Sequence, residues 1–498
     1  MASTNYIDSD INPQASETSY LLNDNDNIQT SWLGRLRKPH LLWMIPFSVT
    51  LSIIMTSIEA PIVQFILELA CKEFKEQNKG LSNDDDCNLP EIQILASNYV
   101  MWYTTLSHIA VTLSIGYLST LSDYLGRKFI FRLSTFGIIL SIVNMLIVAH
   151  YWRIVGIKML YVGSIIQGLL GGVIAINTAC HAYISDCTNS ENRSVAFGWM
   201  HASAYCGMAI GPTIGGLIVK ATGSILSIFY IALCSLITFL FVVSFILPES
   251  VPSDIRERNY LTSSTSFKHL FSPLIILTGS PIEIGDGDRD RNRLWRGRNT
   301  LYILAVIYFI YKISQAAQNE IINLYTKYKF GWTSLENGYF LSLQAFTRFL
   351  ALAAFLPLLH LIRSRYQSSY ARSLDIWTMR GGLTMEIIGF TLFAIAAKPF
   401  WFYFACVINS LATITTPAVR SLFTTYVLPT QAGQILGAIS VLESVASILS
   451  PLWMNKLYNQ GVIIGMEEIV FWANAILFIV SLVLEHINII KKYLLIIT

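Results

Sequence analysis

Apolar residues in this chain come in blocks longer than a soluble core requires. An α-helix needs about 20 mostly apolar residues to cross the hydrocarbon of a bilayer. Twelve such blocks follow one another, at 41–69, 94–119, 129–150, 158–184, 194–219, 223–247, 300–325, 336–361, 379–397, 399–426, 431–458 and 466–489. Between the sixth and seventh lies a hydrophilic stretch, 248–299, holding Asp254-Ile255-Arg256-Glu257-Arg258 and Asp288-Arg289-Asp290-Arg291. The pattern predicts an all-α membrane protein with twelve transmembrane helices in two six-helix, pseudo-symmetric bundles. The expected divisions are a disordered cytosolic tail at 1–40, a first bundle at 41–247, a cytosolic linker at 248–299, a second bundle at 300–490 and a short cytosolic tail at 491–498.

Polar residues inside the blocks recur at the i, i+3, i+4, i+7 spacing of one helix face. Span one holds Ser52, Thr56 and Glu59; span four holds Gln167, Thr178 and His181. Span seven holds Lys312, Gln315 and Asn319, with Glu320 beside them, and span eight holds Gln344 and Arg348. Span ten holds Asn409, Thr413, Thr416 and Arg420; span eleven holds Ser440, Glu443 and Ser447. Charged groups at bilayer depth are costly, so they face a cavity or one another. Lone Ser and Thr can instead bond their own backbone, and Arg420 and Glu386 read as interfacial residues near the ends of their spans. His108 and His201 fit a packed, hydrogen-bonded role as well as a polar pathway. Spans three, six and twelve lack stripes and are expected to face lipid.

Composition agrees. Of 498 residues, 53% are hydrophobic and 13% charged, against about a quarter charged in soluble chains. The formal charge of +3 is too small and scattered for nucleic-acid binding. Lys and Arg concentrate in segments on the side of the N-terminus, including Arg35, Arg37, Lys38, Arg127, Lys128 and the central linker, which predicts cytosolic termini. The seven cysteines show no metal-binding spacing, no P-loop is present, and no nucleophile–base pair stands out. The reading is therefore neither an enzyme nor a cofactor protein. Cys71 and Cys87 both fall in the first non-cytosolic loop, where a disulfide can form. In the tail, Glu17-Thr18-Ser19-Tyr20-Leu21-Leu22 fits an acidic dileucine sorting signal, with Glu17, Leu21 and Leu22 as its recognised residues and a sorting adaptor as its partner.

Two motifs carry a resemblance. Leu121-Ser122-Asp123-Tyr124-Leu125-Gly126-Arg127-Lys128 is similar to the loop 2–3 signature of the major facilitator superfamily, with Ser119 in place of the first glycine. Span five holds Gly207-x-x-x-Gly211-Pro212-x-x-Gly215-Gly216, similar to the pattern of superfamily antiporters. Glycines at this spacing allow close helix approach, and Pro212 removes a backbone hydrogen bond. Gly198–Pro212 and Gly437–Pro451 share a spacing in spans five and eleven, and Glu59 and Glu320 sit late in spans one and seven, as internal repeats would give. In span four, Gln167-Gly168 matches drug/proton antiporters, but Ser164 stands where they carry arginine. Asp186, Glu191, Arg193 and Leu247-Pro248-Glu249-Ser250 look like further superfamily loop elements, and Pro61, Gln64 and Cys71 suggest yeast-type relatives of the tetracycline-resistance and proton-coupled folate transporter (solute carrier family 46) group.

The resemblance implies a secondary active transporter of a small organic solute, proton-coupled, exporting or sequestering it by alternating access. A proton-coupled importer, a uniporter and a transport-inactive nutrient sensor remain alternatives. Expected proton carriers are Glu59, Glu320 and Glu443; expected cavity residues are Thr56, His108, Gln167, Lys312, Gln315, Asn319, Gln344, Arg348 and Asn409. Expected hinge residues are Asp123, Gly126, Arg127, Lys128, Gly207, Gly211, Pro212, Gly215 and Gly216. Solute, protons and lipid are the partners, and a vacuolar or lysosomal-type membrane is expected before the plasma membrane.

Overall fold

The structure is a computed structural model and describes residues 39–77, 87, 89–188, 193–251, 288–355, 371–425 and 432–497. The sorting residues Glu17, Leu21 and Leu22, the rest of the tail up to residue 38, most of the linker and the side chain of Asp123 lie outside the described residues.

Helices make up all twelve spans. Span one is α1 (Met44–Ser57) and α2 (Glu59–Gln77); span two is α3 (Pro90–Leu125) and span three α4 (Arg127–Val155). Span four is α5 (Leu160–Leu169) and α6 (Gly172–Cys187), followed by α7 (Arg193–Thr222) and α8 (Leu226–Phe245). Span seven is α9 (Asp288–Gln315) and α10 (Gln318–Phe330); span eight is α11 (Ser334–Leu350) with a wider turn at Ala351–Phe355. Span nine is α12 (Ala371–Ile395), and span ten is α13 (Pro399–Leu411), a tight turn at Ala412–Ile414 and α14 (Thr415–Thr425). Spans eleven and twelve are α15 (Ala432–Ile464) and α16 (Ile469–Ile497). Nine helical stretches among the described residues are long and apolar enough to cross a membrane; spans two, eight and nine carry more polar residues or are described only in part.

Several helices overrun the expected limits. Span seven starts at Asp288, inside the stretch read as linker; span nine starts at Ala371; α16 runs to Ile497, through the expected C-terminal tail. Hydrocarbon thickness sets how long an apolar block must be. It does not end the helix, whose backbone bonds continue equally well in water.

Among the described residues, spans one, four, seven and ten are interrupted, each the first of three in its quarter of the chain. Gly171 takes a left-handed conformation at the break in span four. Apolar side chains such as Phe136, Phe241, Phe245, Trp377, Phe400 and Ile476 stand exposed on the outside, as lipid-facing positions do.

The halves meet mainly at the ends farther from loop 2–3. Span two meets span eleven through Ser97 Oγ–Asn455 Oδ1 at 2.7 Å and Asn459 Nδ2–Asn98 Oδ1 at 3.0 Å. Span one meets span eight where Ser334 N donates to Gln64 Oε1 at 2.9 Å. Span five meets span eight through Thr213 and Ser342, whose hydroxyls lie 2.8 Å apart. Glycine makes that approach possible: a Cβ on Gly216 would lie 2.6 Å from Leu335 Cα, and one on Gly338 would strike the Pro212 carbonyl. Cys71 and Cys87 are joined by a disulfide beside this sealed end, with their Cα atoms 5.6 Å apart.

Candidate functional site

A cavity of about 920 Å³ lies between the halves, toward the loop 2–3 side. Its lining combines Trp199, His201 and Tyr205 of span five with Tyr311, Lys312 and Gln315 of span seven, Arg348 and Phe349 of span eight, Thr413, Thr416 and Arg420 of span ten, and Glu443 and Ser447 of span eleven. The first half supplies span five alone among the described lining, so nearly all cavity charge comes from the second half.

Glu443 is the hub of a charge cluster. Arg420 Nη2 donates to Glu443 Oε1 at 2.7 Å, Lys312 Nζ lies 3.2 Å from the same oxygen, and the Tyr308 hydroxyl donates to it as well. Lys312 also stands over the faces of Tyr308 and Tyr311, 5.4 and 5.9 Å from the ring centres, a favourable cation–π placement. Arg420 therefore belongs to the cavity. It read as interfacial because it is close to the end of its span, but its guanidinium meets Tyr308 and Glu443 at the cavity lining.

Glu386 needs a larger correction. It is fully buried, not interfacial. Gln315 Nε2 donates to its Oε1 at 2.6 Å and Asn409 Nδ2 to its Oε2 at 2.6 Å. Gln318 Nε2 supports Asn409 at 2.9 Å, and Arg348 Nη2 reaches Gln315 Oε1 at 3.3 Å. A polar chain thus runs from the cavity surface at Arg348 through Gln315 to a carboxylate behind the wall. The early start of span nine explains the misreading: from Ala371, residue 386 is mid-helix rather than near an end. Arg380, six residues before it, pairs with Glu485 at 2.7 Å.

Glu59 and Glu320 open half-helices rather than ending spans. Each stands in the first turn after a break, Glu59 in α2 and Glu320 in α10, where free backbone N–H groups favour negative charge. Asn319 Nδ2 donates to Glu59 Oε1 at 2.7 Å, joining the halves one turn beyond the cavity residue Gln315. Glu320 Oε2 is buried without a hydrogen-bond partner. Among the described residues neither acid forms an ion pair, in contrast to Glu443.

The remaining expected cavity residues scatter. Gln344 and Asn409 are buried behind the wall. Thr56 bonds the Ser52 carbonyl and packs against Gly211. His108 and Gln167 are partly buried in spans two and four, away from the described lining. His181 Nε2 lies 3.3 Å from Nε2 of the lining residue His201.

The hinge residues form two structures. Gly126 has φ +97°, a conformation that suits glycine, and a Cβ there would strike the Glu249 carboxylate. Glu249 accepts the backbone N–H of Arg127 at 2.9 Å and of Lys128 at 3.1 Å, so a carboxylate from beyond span six caps α4. The Arg127 side chain reaches Asp186 Oδ2 at 3.1 Å, and Ser250 Oγ donates to that oxygen at 2.8 Å. In span five, Gly207, Gly211 and Gly215 seat on the backbone of span one at Val49, Ile53 and Ser57.

A family model described as Major Facilitator Superfamily matches residues 42–451. The MFS-type transporter avaJ of Aspergillus versicolor is 26% identical over 453 residues, covering 87% of this chain and 85% of the relative. The tetracycline resistance protein, class B, of Escherichia coli is 24% identical over 390 residues, covering 75% and 84%. Among solved structures, the human organic anion transporter MFSD10 (TETRAN) superposes with a TM-score of 0.57 at 17% identity, over 89% of this chain and 98% of that one.

Proposed function

The chain belongs to the Major Facilitator Superfamily, among transporters like the tetracycline-resistance group, and from that premise we propose that it is a proton-coupled secondary transporter that exports or sequesters a small organic solute. One observation carries the reading: a charged cavity between the halves, accessible on the loop 2–3 side, with the halves hydrogen-bonded together beyond it. Reversing which end is sealed would pass a solute across the membrane without an open channel.

Proton coupling is supported by Glu59 and Glu320, which lie near the half-to-half contact and form no ion pair among the described residues. Export or sequestration is supported by likeness to a protein named for drug resistance, and a vacuolar or lysosomal-type membrane by the tail motif at Glu17, Leu21 and Leu22.

The test is an untargeted metabolite comparison of whole cells and isolated organelles with and without the protein. The solute it identifies is then followed in proteoliposomes under an imposed pH gradient. Gradient-driven accumulation is expected. Flux that ignores the gradient would leave a uniporter, and unchanged metabolites with no flux would leave a sensor.

A further inference from the structure

We propose that the cavity binds a small organic anion, a carboxylate on an apolar or aromatic body, with Arg348 as its charge partner. The inference rests on the transporter reading and narrows its solute.

Among the described lining residues, three cations (Lys312, Arg348 and Arg420) face one carboxylate, Glu443. That carboxylate is already engaged: Arg420, Lys312 and Tyr308 all converge on Oε1. A cationic solute would have to displace them and would meet three cations against that one carboxylate.

Arg348 is differently placed. Its hydrogen bond to Gln315 Oε1, at 3.3 Å, is to a neutral amide, and its Nε is buried with no partner. Glu386 stands beyond Gln315, whose amide separates the two charges. The Arg348 charge is felt by the Glu386 and Glu59 carboxylates, but neither reaches ion-pair distance, so the fork itself keeps capacity for an anion in the cavity. Its planar fork fits a carboxylate through two parallel bonds, which a lysine cannot reproduce.

The rest of the cavity describes the body of the solute. Trp199 and Tyr205 from the first half and Tyr311 and Phe349 from the second give aromatic and apolar wall beside the charged groups. A volume of about 920 Å³ suits an organic molecule better than a bare inorganic ion, which would leave these faces uncovered.

The test uses purified full-length protein and three matched probes: 2-naphthoate, its neutral amide and a naphthyl trimethylammonium, with inorganic sulfate as a fourth arm. Binding is read by equilibrium titration and by the rise in thermal midpoint. Naphthoate should bind about tenfold or more tighter than the amide, the scale of one charge-assisted contact. Arg348→Gln should remove that difference, and Arg348→Lys should restore part of it. Preference for the ammonium, equal binding of the three aromatic probes, or binding of none overturns the proposal. So does sulfate binding as well as naphthoate, or an anion preference that survives Arg348→Gln. Should Arg348→Gln fail to fold, the order of the probes on the unaltered protein decides alone. Counterflow in proteoliposomes separates the two readings. Flux of neutral or cationic solutes without anion flux removes the substrate class and keeps the transporter. Anion binding without flux of any solute removes the transporter and keeps the site.

Discussion

At the scale of residues, four deep carboxylates have two kinds of environment. Glu443 balances Lys312 and Arg420, so neutralising it leaves two cations facing each other. Glu443→Gln should lower thermal stability by about 1–3 kcal/mol, less than for a fully buried pair because water reaches the cluster. A melting curve of the purified variant checks this, and an unchanged midpoint would show that the cations find other partners. Glu59 and Glu320 form no ion pair among the described residues, so Glu→Gln there mimics the protonated acid without breaking one. At least one of Glu59→Gln and Glu320→Gln should give stable protein that exchanges solute but no longer responds to a pH gradient. Full gradient-driven flux in both variants would move attention to Glu386, which is fully buried. Glu386 was hidden from sequence reasoning for a geometric reason: an apolar window places the helix start too late and so puts a mid-helix residue at an end. Lys312, Gln315 and Arg348 were legible because each interrupts an apolar face at helical spacing. Tyr308, Tyr205 and Trp199 carry no such contrast with lipid-facing aromatics.

At the scale of elements, the spans were legible because hydrocarbon thickness imposes a length on every apolar block. Their interruptions were only partly so: Pro61 and Pro417 each lack the N–H that would bond the carbonyl four residues back, at Ser57 and Thr413, and Gly171-Gly172 take positive φ, whereas Ala316–Ala317 are ordinary helix formers with no local signal. These breaks place Glu59 and Glu320 at fresh helix N-termini, a placement that sequence position alone describes as the late part of a span. Loop 2–3 shows the converse, a motif whose meaning depends on distant residues. Its glycine leaves room for Glu249, and Glu249 in turn caps α4. Gly126→Leu would add backbone strain of about 1–3 kcal/mol and push the Glu249 carboxylate off the α4 N-terminus. Transport should fall strongly while the protein remains inserted and correctly sorted, as judged by surface or organelle abundance beside flux. Glu249→Gln, which keeps the shape and removes the charge, should fall in the same direction by a smaller factor. Normal flux in both variants at normal abundance would reduce the loop to a topology signal.

At the scale of the molecule, two bundles followed from counting spans and from the central hydrophilic stretch, but not the state in which the bundles stand. Small polar residues such as Ser97, Asn98, Asn455 and Asn459 reveal nothing singly, because polar pairs across a bundle and polar residues lining a pathway look alike in sequence. Placed together, they seal one end, and the same pairs must separate if the cavity is to open there. This gives a sharp test of alternating access. With Ser97→Cys and Asn455→Cys introduced together, the side-chain contact now at 2.7 Å brings two thiols within reach of a short bifunctional thiol reagent. Cross-linking should occur in the state whose cavity opens toward loop 2–3 and should stop flux, while either single variant treated with the same reagent keeps transporting. The native free cysteines, Cys180, Cys187, Cys206, Cys234 and Cys406, are covered by these single-variant controls. A cleavable reagent should allow flux to return on reduction, which separates a locked protein from a damaged one. Solute that protects against cross-linking would show that binding drives the seal apart. Efficient cross-linking with undiminished flux would mean that spans two and eleven never part, and the rocking of the halves about the cavity would have to be abandoned.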